Sequence, residues 1–219
     1  MRKTILIGFT FFLLFFLYAC GQQSSTVTDN NWWPHQDGYS WTYNVSTSWY
    51  GSVEGYRSTV EGYRSTTETW TFDGTANLYN LTVQKLINSN PLPNHSSLEA
   101  EYILINNSGA FDYGSEGNPT SETVTYLSYP IEIGRKWRYE SYITCEVLGK
   151  ENINVPAGNY ETYKIRFDLG SGDYLDKYYA KNVGMVKSFS SINLILYDSS
   201  GNMGSATFIA TYELTGKNF

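Results

Sequence analysis

Tyr129-Pro130-Ile131-Glu132-Ile133-Gly134-Arg135-Lys136-Trp137-Arg138-Tyr139 decides how the chain is read. Pro130 presets one backbone angle and offers no N–H to a ladder, so it belongs ahead of a strand. Gly134 supplies the positive φ of a tight turn. From Lys136 onward the residues alternate. Trp137, Tyr139, Ser141, Ile143, Cys145 and Val147 fall on one face, and Lys136, Arg138, Glu140, Tyr142, Thr144 and Glu146 on the other. A period of two over twelve positions predicts one half-buried antiparallel strand with a wet face.

The same spelling stands earlier in the chain. Trp33-Pro34 leads to Gly38, Trp41 and Tyr43 as Tyr129-Pro130 leads to Gly134, Trp137 and Tyr139, every member offset by 96 positions. A turn followed by an aromatic-led strand is used twice, at 33–43 and 129–139. Internal duplication and the shared preference of such turns for Pro, Gly and Trp both account for it. In neither case is the motif a site, because Trp and Tyr two apart on a strand are core residues first.

Outward from these two blocks the chain reads as hairpins. Trp41, Tyr43 and Val45 share a face. Glu68 to Phe72 runs into Asp73-Gly74, a hairpin turn signal, and emerges as Leu78 to Ile87, with Leu81, Val83, Lys85 and Ile87 on one face. Glu99 to Ile105 is a strand closed by Asn107-Ser108-Gly109. Residues 110–120 read as a loop before the strand Thr123 to Ser128. Beyond the pivotal strand come Tyr163, Ile165, Phe167 and Leu169 in alternation, then Tyr174 to Ala180, Met185 to Tyr197, and a last strand with Phe208, Ala210, Tyr212 and Leu214 on one face. The prediction is an all-β fold of roughly ten antiparallel strands in a curved sheet, half-barrel or open barrel, with almost no helix in the mature chain.

One stretch resists this pattern. Val53-Glu54-Gly55-Tyr56-Arg57-Ser58-Thr59 is repeated at once as Val60-Glu61-Gly62-Tyr63-Arg64-Ser65-Thr66. Seven is odd, so a regular strand would point the two copies to opposite faces. The expectation is a hairpin tip or long loop, enlarged by a tandem duplication that surface loops tolerate.

Arg2 and Lys3, the apolar run from Ile5 to Tyr18, and Ala19 form a secretory signal too short to span a bilayer. Leu17-Tyr18-Ala19-Cys20-Gly21 resembles the bacterial lipobox, which implies cleavage before Cys20 and its lipidation. The organisation is then a signal peptide at 1–19, a lipidated Cys20 with a flexible polar tether at 20–31, and a single β domain at 32–219. Several acyl chains anchor stably where one holds marginally, so the membrane is a partner through the N-terminal lipid. Gly21 after the cysteine implies an outer-membrane address in a two-membrane host, with the leaflet open.

Without Arg2 and Lys3 the 15 basic residues fall to 13 against 21 acidic ones, a formal charge of −8. That balance opposes nucleic acid and anionic lipid surfaces as partners, and no nucleic acid is expected. Once Cys20 is lipidated Cys145 stands alone, so no internal disulfide forms, and its alternation places it as an inert buried thiol. Two histidines, His35 and His95, 60 residues apart give no metal cluster, and no G-x-S-x-G elbow is present. Asp173 with Asp176, or Glu61 with Glu68, are the carboxylate pairs a glycosidase would need, and on a β surface they read as solvated charges. The expectation is a non-enzyme without metal or cofactor.

Binding is the remaining class. Aromatics are 17% of the chain, with 20 tyrosines, more than one core needs to hide. Trp32, Trp33, Trp49, Tyr50, Tyr56 and Tyr63 cluster in the first third and form a candidate recognition surface for a glycan or an envelope protein. β-propensity alone also accounts for them. The other binding reading is a carrier of a lipid or other apolar small molecule within a half-barrel. It turns on whether Trp41, Trp137, Phe167 and Phe208 fill the concave face. A structural role at the envelope needs no pocket at all.

Val155-Pro156-Ala157-Gly158 and Tyr178-Tyr179-Ala180-Lys181-Asn182-Val183-Gly184-Met185-Val186-Lys187, with the Pro130–Tyr139 block, complete a pattern. It resembles a broad group of bacterial lipoproteins of unknown function, spelled roughly P-x-x-x-G-x-x-W-x-Y, V-P-A-G and Y-A-x-x-V-G-x-V-K. The likeness is strongest from Tyr129 onward. It implies an antiparallel sheet curled into a half-barrel and brings no catalytic residues with it.

Overall fold

The computed structural model describes residues 31–53, 59–89, 100–197 and 203–219. The signal sequence, Cys20, nearly all of the tether, Tyr56 and His95 lie outside the described residues. Twelve strands follow in order: β1 (Ser40–Val53), β2 (Thr59–Leu78), β3 (Leu81–Ser89), β4 (Glu101–Asn106), β5 (Gly109–Ser115), β6 (Asn118–Ser128), β7 (Lys136–Arg138), β8 (Thr144–Val155), β9 (Gly158–Gly170), β10 (Asp173–Ala180), β11 (Gly184–Tyr197) and β12 (Met203–Lys217). They form one antiparallel sheet in the order β6-β5-β4-β3-β2-β1-β12-β11-β10-β9-β8-β7. No helix occurs among the described residues. The sheet is two six-strand meanders joined where β1 pairs with β12, curled into a nearly closed barrel.

The all-β expectation holds, and the two strands beyond ten have identifiable causes. Residues 110–120, expected as a loop, carry most of β5 and the start of β6, turning at Glu116-Gly117. Asp112 accepts a hydrogen bond from the Gly114 N–H at 2.7 Å, and Gly114 takes φ +82 at a bulge. A bulged glycine-rich strand thus looks like a loop in sequence. The pivotal strand, expected unbroken from Lys136, is instead a hairpin. Residues 139–143 turn, with Tyr139 N–H donating to Ile143 O at 2.9 Å, and β7 returns onto β8. Trp137 still faces the same side as Cys145, because the two are direct cross-strand partners.

Two further expectations, the turn at Asp73-Gly74 and the heptad loop, are corrected. Asp73-Gly74 is a bulge inside β2 rather than the hairpin turn, its N–H held by Asp37 Oδ1 at 2.6 Å. The turn falls at Tyr79-Asn80, both with positive φ (51° and 64°) as a type I′ turn demands. On β3 the side chain packed into the barrel core is Leu86, on the opposite face from Val83 and Lys85. Val83 packs with Tyr102 and Tyr113 in a satellite cluster. The second heptad copy is not a loop: Thr59 to Thr66 pair with Ser52 to Val45 of β1 in unbroken register. Residues 54–58 lie outside the described residues.

The two aromatic-led blocks are built alike. Gln36 O accepts from Tyr39 N–H at 3.0 Å, and Glu132 O from Arg135 N–H at 3.0 Å. Gly38 (φ 80°) and Gly134 (φ 85°) occupy the third turn position, where positive φ is required. Gly38 N–H donates to Phe72 O and receives Phe72 N–H back at Tyr39 O (2.7 and 2.9 Å). Gly134 and Arg135 do the same with Val147 (2.8 and 3.0 Å). Phe72 and Val147 are both wholly buried. Each turn therefore fastens the start of its block to a core residue of the neighbouring strand.

Two clusters fill one end of the barrel. Trp41, Tyr43, Phe72, Leu86 and Leu214 lead the first, and Leu127, Cys145, Ile165 and Phe167 the second. The predicted alternations on β1, β9 and β12 all point inward as expected. Cys145 is buried, and burial pushes its thiol up to about 12, so it is inert at neutral pH. The sheet ends β6 and β7 meet through side chains: Trp137 Nε1 donates to Thr125 O at 3.0 Å, and Arg135 donates to Ser128 Oγ at 2.9 and 3.2 Å.

Candidate binding cavity

The other end of the barrel is hollow. A cavity of about 820 Å³ extends along the inward faces of β1, β11 and β12, and β2, β3, β4, β6, β9 and β10 complete its wall. Its cause lies in which residues share a rung. Ser190, Ala210 and Thr47 stand side by side across β11, β12 and β1, and Ala206 sits opposite Gly51 on the β12–β1 pair. Small side chains at these inward positions leave space that a Leu or Phe would fill, and barrels larger than the smallest enclose ligand cavities or channels.

Around that hollow the wall is aromatic and aliphatic: Trp33, Trp41, Trp49, Trp70, Phe208 and Ile192 among others. Trp41 and Phe208 line the cavity without filling it, while Phe167 belongs to the packed end and Trp137 to the β6–β7 seam. Trp49 is held by an unusual neighbour. A Cβ on Gly62, directly across the ladder, would overlap the Trp49 indole. Gly62→Ala is therefore expected to displace the indole and to cost about 1–3 kcal/mol, read as a lower urea midpoint with a shifted tryptophan emission.

Few charges reach this wall. Lys177 projects from β10, its ammonium 5.1 Å from the ring centres of both Tyr126 and Phe167. Glu101 comes from β4, six places away in the sheet order, and Arg64 lies at the exposed rim. Burial pushes the Glu101 carboxyl up to about 7; Asp112 adds to the rise and Lys177 opposes it. Burial also lowers the Lys177 ammonium, with Glu101 and Cys145 opposing. Tyr43, Tyr126 and Tyr179 are raised by burial first, so their hydroxyls stay neutral.

The expected aromatic surface is divided among separate places. Trp33 and Trp49 line the cavity. Trp32 packs edge-on against Tyr163 with ring centres 5.2 Å apart, away from it. Tyr50 and Tyr63 are exposed at 57% and 71%, and with Trp49 they border a shallow depression near the end of the β1–β2 hairpin. Lys177, Glu101 and the small inward residues were missed. The signal was present as Ser188-x-Ser190 and Ala206-x-Phe208-x-Ala210, small residues at inward positions of strands that should be packing a core.

Three of the four carboxylates expected as solvated charges are tied up, and Glu61 is exposed as expected. Asp176 is buried on the outer face, gripped by Arg166 at 2.7 Å through both oxygens and by Lys164 at 3.1 Å. Glu68 is 1% exposed and accepts from Asn88 at 2.9 Å. Asp173 accepts from the Asn193 backbone and side-chain amides. No group of His, Cys, Asp and Glu suited to a metal occurs among the described residues.

The molecule is thus an antiparallel β-barrel with one packed end and one open cavity. Residues 136–208, about a third of the chain, match the DUF3108-like family, beginning at β7 and ending within β12. Similar solved structures include a protein from Bacteroides fragilis, provisionally described as exported and with a YmcC-like fold. It has 13% identity and a TM-score of 0.39, with 85% of this chain and 98% of that one covered. Another, from Parabacteroides distasonis and provisionally described as a lipoprotein, has 13% identity and a TM-score of 0.36, with 86% and 99% covered. No curated protein matches the chain.

Proposed function

We propose that this chain is a non-enzymatic, lipid-anchored envelope protein that binds an apolar or amphipathic small molecule inside its barrel. The observation that carries the reading is the hollow kept open by Ser190, Ala210 and Thr47 within an aromatic wall. Its volume of about 820 Å³ falls within the roughly 300–1,000 Å³ of small-molecule sites, and its lining of many apolar and few polar groups is typical of them. The lipobox resemblance at Leu17 to Gly21 supports export and anchoring through Cys20. An outer-membrane address rests on Gly21.

A chain beginning at Gly21 contains the twelve strands and three buried clusters of the described residues and lacks the acyl groups of its own anchor. Native mass spectrometry of that chain should show a copurified apolar molecule, or saturable uptake of the neutral probe N-phenyl-1-naphthylamine. Ala210→Trp, which fills the hollow, should weaken uptake about tenfold or more. An empty protein that takes up no probe, or an Ala210→Trp variant that binds as well, sinks the reading. The depression beside Trp49, Tyr50 and Tyr63 supports a second reading, a glycan surface. Glycan binding lost in Tyr50→Ala and Tyr63→Ala but kept in Ala210→Trp would favour it.

A further inference from the structure

The chain is acidic as a whole, with a formal charge of −6, yet among the described residues its cavity wall carries two basic side chains, Lys177 and Arg64, against the single acid Glu101. Small polar groups inside the barrel lie close to Lys177. Lys177 stands directly opposite Ser188 on the β10–β11 pair, and Ser190 and Thr47 follow on the next rung. These three small polar residues are all buried and all face the hollow. The wall beyond, toward Trp49, Ile192 and Phe208, is apolar. An apolar chamber with a lysine and hydroxyls grouped at one place is a divided site, one part for a chain and one for a head.

Resting on the reading of the cavity as a ligand site, we propose that its ligand is an anionic amphiphile, an acyl or alkyl chain ending in a carboxylate or phosphate, whose head group binds Lys177 in place of Glu101. The ammonium of Lys177 lies between two rings and within the electrostatic reach of Glu101. A hydrated ammonium on the outer surface would select nothing. One withdrawn into an apolar chamber interacts strongly with whichever anion is nearest. Among the described residues of the cavity wall that anion is Glu101, on β4, whose charge acts on Lys177 across the barrel.

Head-group binding is then coupled to the protonation of Glu101. When its carboxyl takes a proton it ceases to compete for Lys177, so anion binding takes up a proton and strengthens as pH falls through about 7. The other titratable groups around the pair are Asp112 from β5, Tyr126 from β6, Tyr139 and Glu140 from the β7–β8 turn, and Cys145 from β8. Tyr126, Tyr139 and Cys145 are all raised by burial and stay neutral from pH 6 to 8. Asp112 raises Glu101 by like charge, so Asp112→Asn should move the profile to lower pH.

The test uses the chain from Gly21 with dodecanoate, dodecyl phosphate and dodecanol, by calorimetry or displacement of N-phenyl-1-naphthylamine. Dodecanoate or dodecyl phosphate should bind about ten- to a hundredfold more tightly than dodecanol at pH 6, and whichever anion is tighter identifies the head group. Lys177→Met should abolish that preference while leaving dodecanol and the neutral probe bound, which also shows that the variant has folded. Glu101→Gln should bind the anions tightly at pH 8 as at pH 6, whereas the wild type weakens. If dodecanol binds as well as dodecanoate and Lys177→Met changes nothing, the head-group assignment falls and the cavity reading stands. If neither the alkyl compounds nor the neutral probe bind, both fall.

Discussion

Asp176→Ala is expected to destabilise the protein by about 3 kcal/mol, read as a lower urea midpoint at an unchanged slope. Asp176 is 3% exposed on the outer face of β10. Its two oxygens take the forked guanidinium of Arg166 from β9, and Lys164 stands 3.1 Å away. Removing the carboxylate leaves two cations beside each other with nothing between them. Both are partly open to solvent, with side-chain exposures of 37% and 19%, which sets the loss at the lower end of what breaking a buried pair costs. Breaking the exposed Lys150–Glu161 pair on the neighbouring strands should leave the midpoint where it was. A midpoint for Asp176→Ala equal to that of the wild type would show that the ion pair contributes nothing to the fold.

Trp41→Ala should cost more, about 4 kcal/mol. Its indole is 2% exposed, edge-on to Phe72 at 5.7 Å and to Phe219 at 5.1 Å between ring centres, and it donates through Nε1 to Val183 O at 2.6 Å. Truncation removes that burial, leaves the Val183 carbonyl without this donor, and opens a void between the packed end and the cavity. It should also loosen the Phe219 terminus, which stacks on Tyr39 at 4.5 Å. Tyr63→Ala, at an exposed ring, should shift stability by less than about 0.5 kcal/mol. Equal effects of the two substitutions would refute the inward assignment of the β1 face.

The inward face of β1 was legible because Trp41, Tyr43 and Val45 alternate with polar residues and nothing interrupts them. β9 was legible for the same reason, with Ile165 and Phe167 set between Lys164, Arg166 and Asp168. Where sequence reasoning went astray, a local device imitated a different element. At β5 the glycine bulge imitated a loop, and at Asp73-Gly74 a bulge imitated a hairpin turn. Between β7 and β8 the alternation ran on through Glu140, Ser141 and Tyr142, where the chain in fact reverses. Periodicity reports which residues alternate and is blind to a turn that happens to keep phase.

The cavity was less legible for a different reason. Ser188, Ser190, Ala206, Ala210 and Thr47 are unremarkable one by one. They make a hollow only because β11, β12 and β1 bring them onto adjacent rungs, and register between strands far apart in sequence cannot be read from either strand alone. Lys177 and Glu101 are likewise ordinary in sequence and come to line one cavity only because the sheet curls.

Eleven of the twelve junctions around this barrel are backbone ladders among the described residues, and the twelfth, between β6 and β7, is a clasp of side chains. A ring fastened this way is a split collar. Opening it at that place would release the hydrogen bonds of Trp137 and Arg135 and no main-chain ladder. A fully hydrogen-bonded cylinder would have to surrender a whole row of main-chain bonds for the same opening. The short three-residue β7 is therefore the latch of the barrel.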